Sequence, residues 1–469
     1  MAQQASAKTV IKAGIWYTIA NFLTKGAVFL TTPFFTRLMT QSDIGAYANM
    51  NSWFFLLVSV VTFDLSVSLG IARFDFKDEL NEFTSSILFY GVCITAFCYG
   101  LVLLNMDFFC SLFSMQPYAV HVIFIYMFVY PALQTFQGRN GFEFRYRMST
   151  FISLSSLLIS VGLSLLLTVL MENKLLGRTI GYYLPLITIS LALFIYQMAR
   201  GKTVRSKYLK YAVKISFPMI WHTLAGQLLS AGDRIVITHV QGEAANALYS
   251  VVYTCSMVAY VLWISMNSAW SPWSTERMAH GETALLRKIS RPYTLFYVAV
   301  VILMLLVAPE LLWIMGGAEY MQARAALAPI IIGCVCQFVY SLYVNVEFYL
   351  KKQKRIAFGT MMAALLNLGL NMLLVPHFGY VAAAYTTLVG YLSMFLFHYL
   401  SVRSLGKADW YDTRFNWLVI GGCMLLIPLM NWLYDHTILR YSIFALLVIS
   451  ACTAIWKYRA MIIKFIKKR

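Results

Sequence analysis

Five charged side chains interrupt stretches that are otherwise apolar over helix length: Lys25, Asp64, Asp233, Arg234 and Glu347. An ionisable group in hydrocarbon costs a few kcal/mol, so a chain that keeps one there uses it in an ion pair or on a substrate or ion. Lys25 and Arg234, in a water-filled cavity, could hold an anion such as phosphate through charge-assisted hydrogen bonds. Arg37 and Arg73, at the ends of apolar runs, could extend that path or serve as ordinary interfacial anchors. Asp64, Asp233 and Glu347 are candidates for ion coupling, the alternative being a structural pair or a head group reaching the interface. Asp233 and Arg234 are adjacent on a helix, point in different directions and need not pair with each other. His121, His222, His239 and His398 could relay protons, although a lone His is more often a packing residue.

The elements that position these groups must be membrane helices. Of 469 residues, 60% are hydrophobic and 12% charged, and the mean hydropathy is +0.69, far from a soluble domain. Helix-length apolar segments fall at roughly 13–36, 44–70, 84–104, 119–137, 151–171, 178–198 and 213–238. Others follow at roughly 245–268, 292–314, 324–349, 356–375, 380–402, 416–434 and 440–459. The pattern predicts an all-α integral membrane protein of about fourteen transmembrane helices. Lys8 and Lys12 precede the first segment without a cleavage site, so that span is expected to be retained.

Lys and Arg fix an orientation, because short basic loops stay in the cytoplasm. With the N-terminus inside, almost all of them fall in alternate connections, as far as the Lys467-Lys468-Arg469 tail. Only Arg37, Lys174, Arg178, Arg324 and Arg440 fall outside, so both termini are expected in the cytoplasm. The net charge of +18 follows from these loops and implies no nucleic-acid partner. Cys93, Cys98, Cys255, Cys334, Cys336, Cys423 and Cys452 sit in apolar runs without zinc or redox spacing. They read as small apolar fillers. There is no phosphate-cradling glycine loop, no metal-ligand cluster and no room for a soluble nucleotide domain, so neither an enzyme nor a cofactor is expected.

The two halves look related. Thr36 to Tyr47 (TRLMTQSDIGAY) aligns with Thr238 to Tyr249 (THVQGEAANALY), and LLISVGLSLLL ending at Leu167 with LLNLGLNMLL ending at Leu374. Two pseudo-symmetric six-helix lobes, 1–200 and 201–403, and a final helix pair with a basic tail, 404–469, follow. Such repeats build a central site exposed to either side in turn. Prolines 33, 131, 185, 218 and 329 in or near spans are compatible with hinges. Trp270 to Arg291 reads as an amphipathic cytoplasmic linker.

Three stretches carry a resemblance. The first is Trp16-Tyr17-Thr18-Ile19-Ala20-Asn21 through Lys25, with Phe29 to Pro33, Phe35 to Leu38 and Gly45-Ala46-Tyr47. The second runs from Pro218 through the Asp233-Arg234 pair to Ala247-Leu248-Tyr249-Ser250. The third places Asn367, Asn371, Pro376, Gly379, Ala382-Ala383-Ala384 and Thr386-Thr387 in order. Together they resemble the Wzx-type flippases of the polysaccharide transporter family, in the multidrug/oligosaccharidyl-lipid/polysaccharide exporter superfamily. The resemblance implies translocation of oligosaccharide repeat units on undecaprenyl pyrophosphate across a bacterial cytoplasmic membrane. It implies ion-gradient coupling through Asp64, Asp233 or Glu347, and as partners the lipid-linked oligosaccharide, membrane lipids and the polymerase and chain-length proteins of the pathway. Lys25 and Arg234 would attract the pyrophosphate. A cation-coupled drug antiporter, a lipid II flippase and a membrane glycosyltransferase or polymerase are the competing readings. The cationic positions disfavour the antiporter, and the short external loops disfavour the polymerase.

Overall fold

The structure, a computed structural model, describes residues 26–143 and 145–467. The helix α1 is described over 26–38. The first half continues with α2 (Gln41–Val61), a 3-10 turn (Leu65–Ser68), α3 (Leu69–Asp75), α4 (Leu80–Leu104), α5 (Met106–Phe113), α6 (Pro117–Phe142), α7 (Tyr146–Leu170) and α8 (Lys174–Gly201). The second comprises α9 (Ser206–Gln241), α10 (Glu243–Ala279), α11 (Thr283–Leu306), α12 (Ala308–Gly316), α13 (Leu327–Tyr349), α14 (Gln353–Phe378) and α15 (Tyr380–Ser404). The final pair is α16 (Thr413–Leu433) and α17 (Thr437–Lys467). No strand occurs among the described residues.

Among the described residues, eleven helices are long and apolar enough to cross a bilayer. Adding α1, the long α9 and α17 brings the spans to the fourteen expected. Large apolar side chains cover the outside, with Leu104 83% and Ile438 85% exposed, as suits a lipid-facing surface. In the first lobe α2, α4, α6 and α8 pack around Phe54, Ile123, Phe124, Met127 and Tyr183, and α7 packs against α8. In the second, α9 to α15 pack around a larger apolar core centred on α13. The final pair leans on α11 and α13, and the buried Arg440 of α17 makes a bidentate bridge to Glu310 of α12 at 2.5 and 2.6 Å.

Local sequence explains the ends. Thr40 and Asp43 form a reciprocal capping box that starts α2, each side chain taking the other's backbone N–H. A single glycine, Gly242 at φ 87°, separates α9 from α10, and Gly379 at φ 74° does the same between α14 and α15. Both conformations lie where a β-carbon is disfavoured. At Gly177 and Gly181 α8 lies directly on α7, since a β-carbon at either would fall 2.5 or 2.4 Å from that helix's backbone.

Three segments depart from the sequence expectation. The run 44–70 is one helix only as far as Val61, then breaks at Phe63 and Asp64, both left-handed at φ 55° and 42°. The run 292–314 lies on two helices, joined at Val307. The expected linker Trp270–Arg291 is no separate element. α10 continues through it to Ala279 and α11 begins at Thr283, and Trp270 is buried rather than interfacial. Its ring stacks on Tyr293 of α11 at 4.4 Å, which ties the start of the stretch to the second lobe while most of the residues after it stay exposed.

Candidate functional site

The α1–α2 and α9–α10 turns, which the sequence aligns with each other, meet at one end of the molecule. Asn246 Nδ2 donates to the Gly45 carbonyl at 3.0 Å, and Ser42 Oγ to Glu243 at 2.5 Å. Thr36 Oγ1 donates to the Met315 carbonyl at 2.5 Å. A β-carbon on Gly45 would lie 1.7 Å from the Glu243 carbonyl oxygen, so glycine alone permits this approach. The lobes are thereby joined across this end.

Behind this seal lies a cavity of about 200 Å³ with an adjoining compartment of about 380 Å³. α1 contributes Val28, Thr32 and Phe35, α2 contributes Tyr47 and Asn51, and α10 contributes Ser250 and Thr254. Two cations complete the wall, Arg178 from α8 of the first lobe and Arg234 from α9 of the second. The Arg178 guanidinium lies 4.0 Å from the Phe35 ring centre and 3.9 Å from that of Tyr47. That of Arg234 lies 4.3 Å from the Tyr253 ring and donates to the Ser230 carbonyl at 3.0 Å. Neither forms a salt bridge among the described residues, so ring faces and carbonyls hold both charges without neutralising them. Asn51 is fixed by the Tyr183 hydroxyl at 2.9 Å and by its own bond to the Tyr47 carbonyl. Two guanidiniums that form no salt bridge among the described residues and face one space are suited to holding an anion with several oxygens.

Arg178 is the residue that sequence reasoning missed. It stands at the edge of an apolar run and reads as a loop cation. α8, however, starts at Lys174, capped by Asn173 taking the Leu176 N–H at 2.9 Å, and Arg178 falls more than a turn inside. The available signal is the pair Gly177 and Gly181, whose spacing marks a helix face in tight contact and places its neighbours inside the protein.

The other candidates lie elsewhere. Lys25 is outside the described residues. Arg37 is exposed at the sealed end, where it donates to the Pro33 and Ile314 carbonyls at 2.7 and 3.1 Å. Arg73 is at the opposite end, its guanidinium 4.4 and 4.2 Å from the Phe74 and Phe142 rings. Neither Arg37 nor Arg73 lines the inter-lobe cavity. Asp64 is buried at the break after α2, its carboxylate 3.4 Å from both Ser66 and Thr223 hydroxyls. Of the histidines, His121 meets the Tyr99 hydroxyl at 2.6 Å, as a packing residue would. His222 and His398 line a separate cavity in the second lobe.

Asp233 faces away from Arg234, into the core of the second lobe, and is fully buried. Its carboxylate accepts from the Tyr249 hydroxyl, from Thr387 Oγ1 at 3.2 Å and from the Arg234 backbone N–H at 2.9 Å. Beside it Thr386 donates to Asn371 at 2.5 Å, and Asn371 to Asn367 at 3.2 Å. The Asn367 Nδ2 is buried without a partner. The asparagines and threonines named in the third sequence stretch thus converge beside Asp233. Glu347 is also fully buried and receives His398 Nδ1 at 2.6 Å. Three carboxylates that look alike in sequence therefore occupy a helix break, a hydroxyl and amide cluster, and an imidazole pair.

Comparison with known proteins agrees with this architecture. An uncharacterized membrane protein of Methanocaldococcus jannaschii is 22% identical over 92% of this chain and 91% of its own length. The structure resembles a lipid II flippase, MurJ, in an inward closed conformation, with a TM-score of 0.68 at 14% identity, covering 96% of this chain and 100% of that one. It also resembles an inward-facing multidrug transporter of the MATE family, with a TM-score of 0.63 at 13% identity, over 85% of this chain and 98% of that one. Residues 10–278 match the family described as polysaccharide biosynthesis protein. That match takes in α1 to α10 and both cavity arginines, so on sequence and fold together the chain is a multi-pass membrane protein of the polysaccharide biosynthesis protein family.

Proposed function

We propose that the protein is a flippase for lipid-linked oligosaccharides, carrying undecaprenyl-pyrophosphate-linked repeat units across a bacterial cytoplasmic membrane for O-antigen or capsule assembly. The observation that supports this best is the pair of unneutralised guanidiniums, Arg178 and Arg234, one on each lobe and both facing a single cavity. A pyrophosphate engaged by both would bridge the lobes, which is how a substrate couples its own binding to a relative motion of two bundles. Lys25, which lies outside the described residues, is proposed as a further cation for the same anion. Arg37 and Arg73, at the two ends, would meet the head group on entry and exit.

Asp233 is the carboxylate best suited to coupling an ion, because two hydroxyls and a backbone N–H hold it and it forms no salt bridge among the described residues. Glu347 and Asp64 would then be positioning groups. On this reading the termini are cytoplasmic, as the basic connections require, and the polymerase and chain-length proteins act on the product.

A reconstitution assay tests the proposal. Proteoliposomes carrying the chain should move a pyrophosphate-linked oligosaccharide lipid to the opposite leaflet, where an impermeant glycosidase reaches it. They should do so faster than liposomes without protein, and Arg178→Gln with Arg234→Gln should abolish the difference. Equal movement with the double variant would sink the reading. Preferential movement of hydrophobic cations would favour a drug antiporter instead, and of lipid II alone a peptidoglycan precursor flippase.

A further inference from the structure

The second lobe contains a cavity that the anion site leaves unused. α9, α10, α13, α14 and α15 enclose about 610 Å³, within the roughly 300–1,000 Å³ of small-molecule sites. Its lining has no Lys, Arg, Asp or Glu among the described residues. It is instead aromatic and amide. The Trp263 ring is 5.4 Å from Tyr260 and 6.1 Å from Tyr340, and Tyr340 stacks on His398 at 5.8 Å. Gln227 and Gln337 line the same space, and neither side chain makes a hydrogen bond among the described residues.

His398 is set for a purpose. It is fully buried, its Nδ1 is bonded to Glu347, and its Nε2 has no partner. With Nδ1 taken up by the carboxylate, Nε2 is the ring's remaining polar atom, able to exchange a hydrogen bond with a hydroxyl. Glu347 thereby acts as a positioning residue for the imidazole. His222 Nδ1, on the α9 wall, is likewise buried without a partner. An acyl chain in this space would leave these amides and imidazoles unpaired. A charged ligand would find no counter-charge. A neutral polyol with apolar ring faces satisfies both constraints, its C–H faces on the aromatic rings and its hydroxyls on the amides and imidazole.

The two cavities share a wall. The Tyr253 ring lines the second-lobe space, and Arg234 lies against it at 4.3 Å. Ser230, whose carbonyl holds the Arg234 guanidinium, lines it too. Anything attached to an anion at Arg234 is therefore at the edge of the aromatic chamber. We propose that this chamber is a saccharide subsite that takes the neutral sugar rings next to the pyrophosphate, an inference that rests on the pyrophosphate reading of the inter-lobe cavity.

Binding to the full chain in nanodiscs tests it, with farnesol, farnesyl pyrophosphate and farnesyl pyrophosphate bearing glucose, galactose or N-acetylglucosamine. At least one sugar-bearing probe should bind about tenfold more tightly than the bare pyrophosphate, the worth of one good neutral hydrogen bond. Gln337→Leu and Tyr340→Leu should each erase that gain and leave farnesyl pyrophosphate unchanged. Size-exclusion and melting profiles verify that both remain folded, with Gln227→Leu as the replacement for a variant that does not. No gain with any of the three sugars, or a gain that survives both substitutions, overturns the subsite. Weakened binding of bare farnesyl pyrophosphate by Gln337→Leu also overturns it, assigning the chamber to the prenyl chain. Farnesyl pyrophosphate binding no better than farnesol defeats the pyrophosphate reading alone, since the sugar-dependent gain is read separately.

Discussion

Arg178 and Arg234 differ in what holds them, and this separates their predicted variants. Arg178 lies between two ring faces, Phe35 and Tyr47, whereas Arg234 rests on one ring and a carbonyl. Lysine keeps the charge but loses the planar stacking and the bidentate fork. Arg178→Lys should therefore lose transport almost as fully as Arg178→Gln, while Arg234→Lys should retain a measurable part. Loss of one charge-assisted bond of about 1.5–3 kcal/mol corresponds to at least tenfold weaker anion binding, which titration with farnesyl pyrophosphate would measure. Equal effects of the two lysine variants would show that charge alone matters. Asp233 makes a different prediction. Asp233→Asn keeps an acceptor for Tyr249 and Thr387, so the protein should fold and bind substrate but lose the dependence of transport on an ion gradient. Asp233→Leu strands both donors in the core and should lower stability by about 1–3 kcal/mol, read as a lower melting temperature in detergent. Arg234 and Asp233 were legible because they interrupt an apolar run, but their opposite facings were not, since one residue of helix register decides them. Arg178 was illegible because the run's edge and the helix's start differ by four residues.

At the scale of elements, helix count and order follow from hydropathy, whereas interruptions inside apolar runs do not. Nothing in the composition around Phe63 and Asp64 marks a break, because neither glycine nor proline stands there. The break is made by tertiary contact: Ser216 of α9 donates to the Asp64 carbonyl at 3.0 Å, and Thr223 approaches its carboxylate. Left-handed conformations at non-glycine residues cost about 1–2 kcal/mol each. Phe63→Gly gains backbone compatibility but gives up the ring packed on Phe217 at 6.4 Å, so it does not isolate the backbone term. Asp64 does. Asp64→Asn, which tolerates this conformation, should leave the melting temperature close to the parent, and Asp64→Val, a β-branched residue there, should lower it by several degrees. Similar melting of the two variants would mean that the break relaxes rather than stores strain. The Gly181 contact bears on function more directly. Its β-carbon would meet the Ser164 backbone at 2.4 Å, so Gly181→Ala must move α8 off α7 and carry Arg178 with it. Transport should fall although no cavity residue is changed, and an unaltered rate would show that α8 is free to shift.

For the whole molecule, the relation between the two halves becomes a mechanical statement. The segments Thr36–Tyr47 and Thr238–Tyr249, aligned in sequence, lie together in space. They touch, and their contact joins the lobes at one end of the cavity. α9 crosses between lobes: its first turns are tied to the first lobe, Lys207 and Tyr208 meeting Glu79 at 2.7 and 2.6 Å, and its last turns pack in the second. On the proposed mechanism of alternating exposure, the Gly45–Glu243 contact must open while α9 remains a shared member. A methyl group on Gly45 cannot be accommodated at 1.7 Å from a backbone oxygen, and overpacking of this kind costs about 1–3 kcal/mol. Because each 1.4 kcal/mol is roughly a tenfold change in a conformational ratio, Gly45→Ala should shift the population toward a state open at this end. The measurement is labelling of Thr254→Cys, a cavity position, by an impermeant maleimide added on that side of proteoliposomes, with the eight native cysteines replaced. Labelling should rise severalfold in Gly45→Ala, and a saturating pyrophosphate lipid should suppress it by occupying the space between Arg178 and Arg234. A rise that the lipid leaves untouched would place Thr254 on a path apart from the anion site. No rise at all would mean that the seal is held by elements other than these two turns.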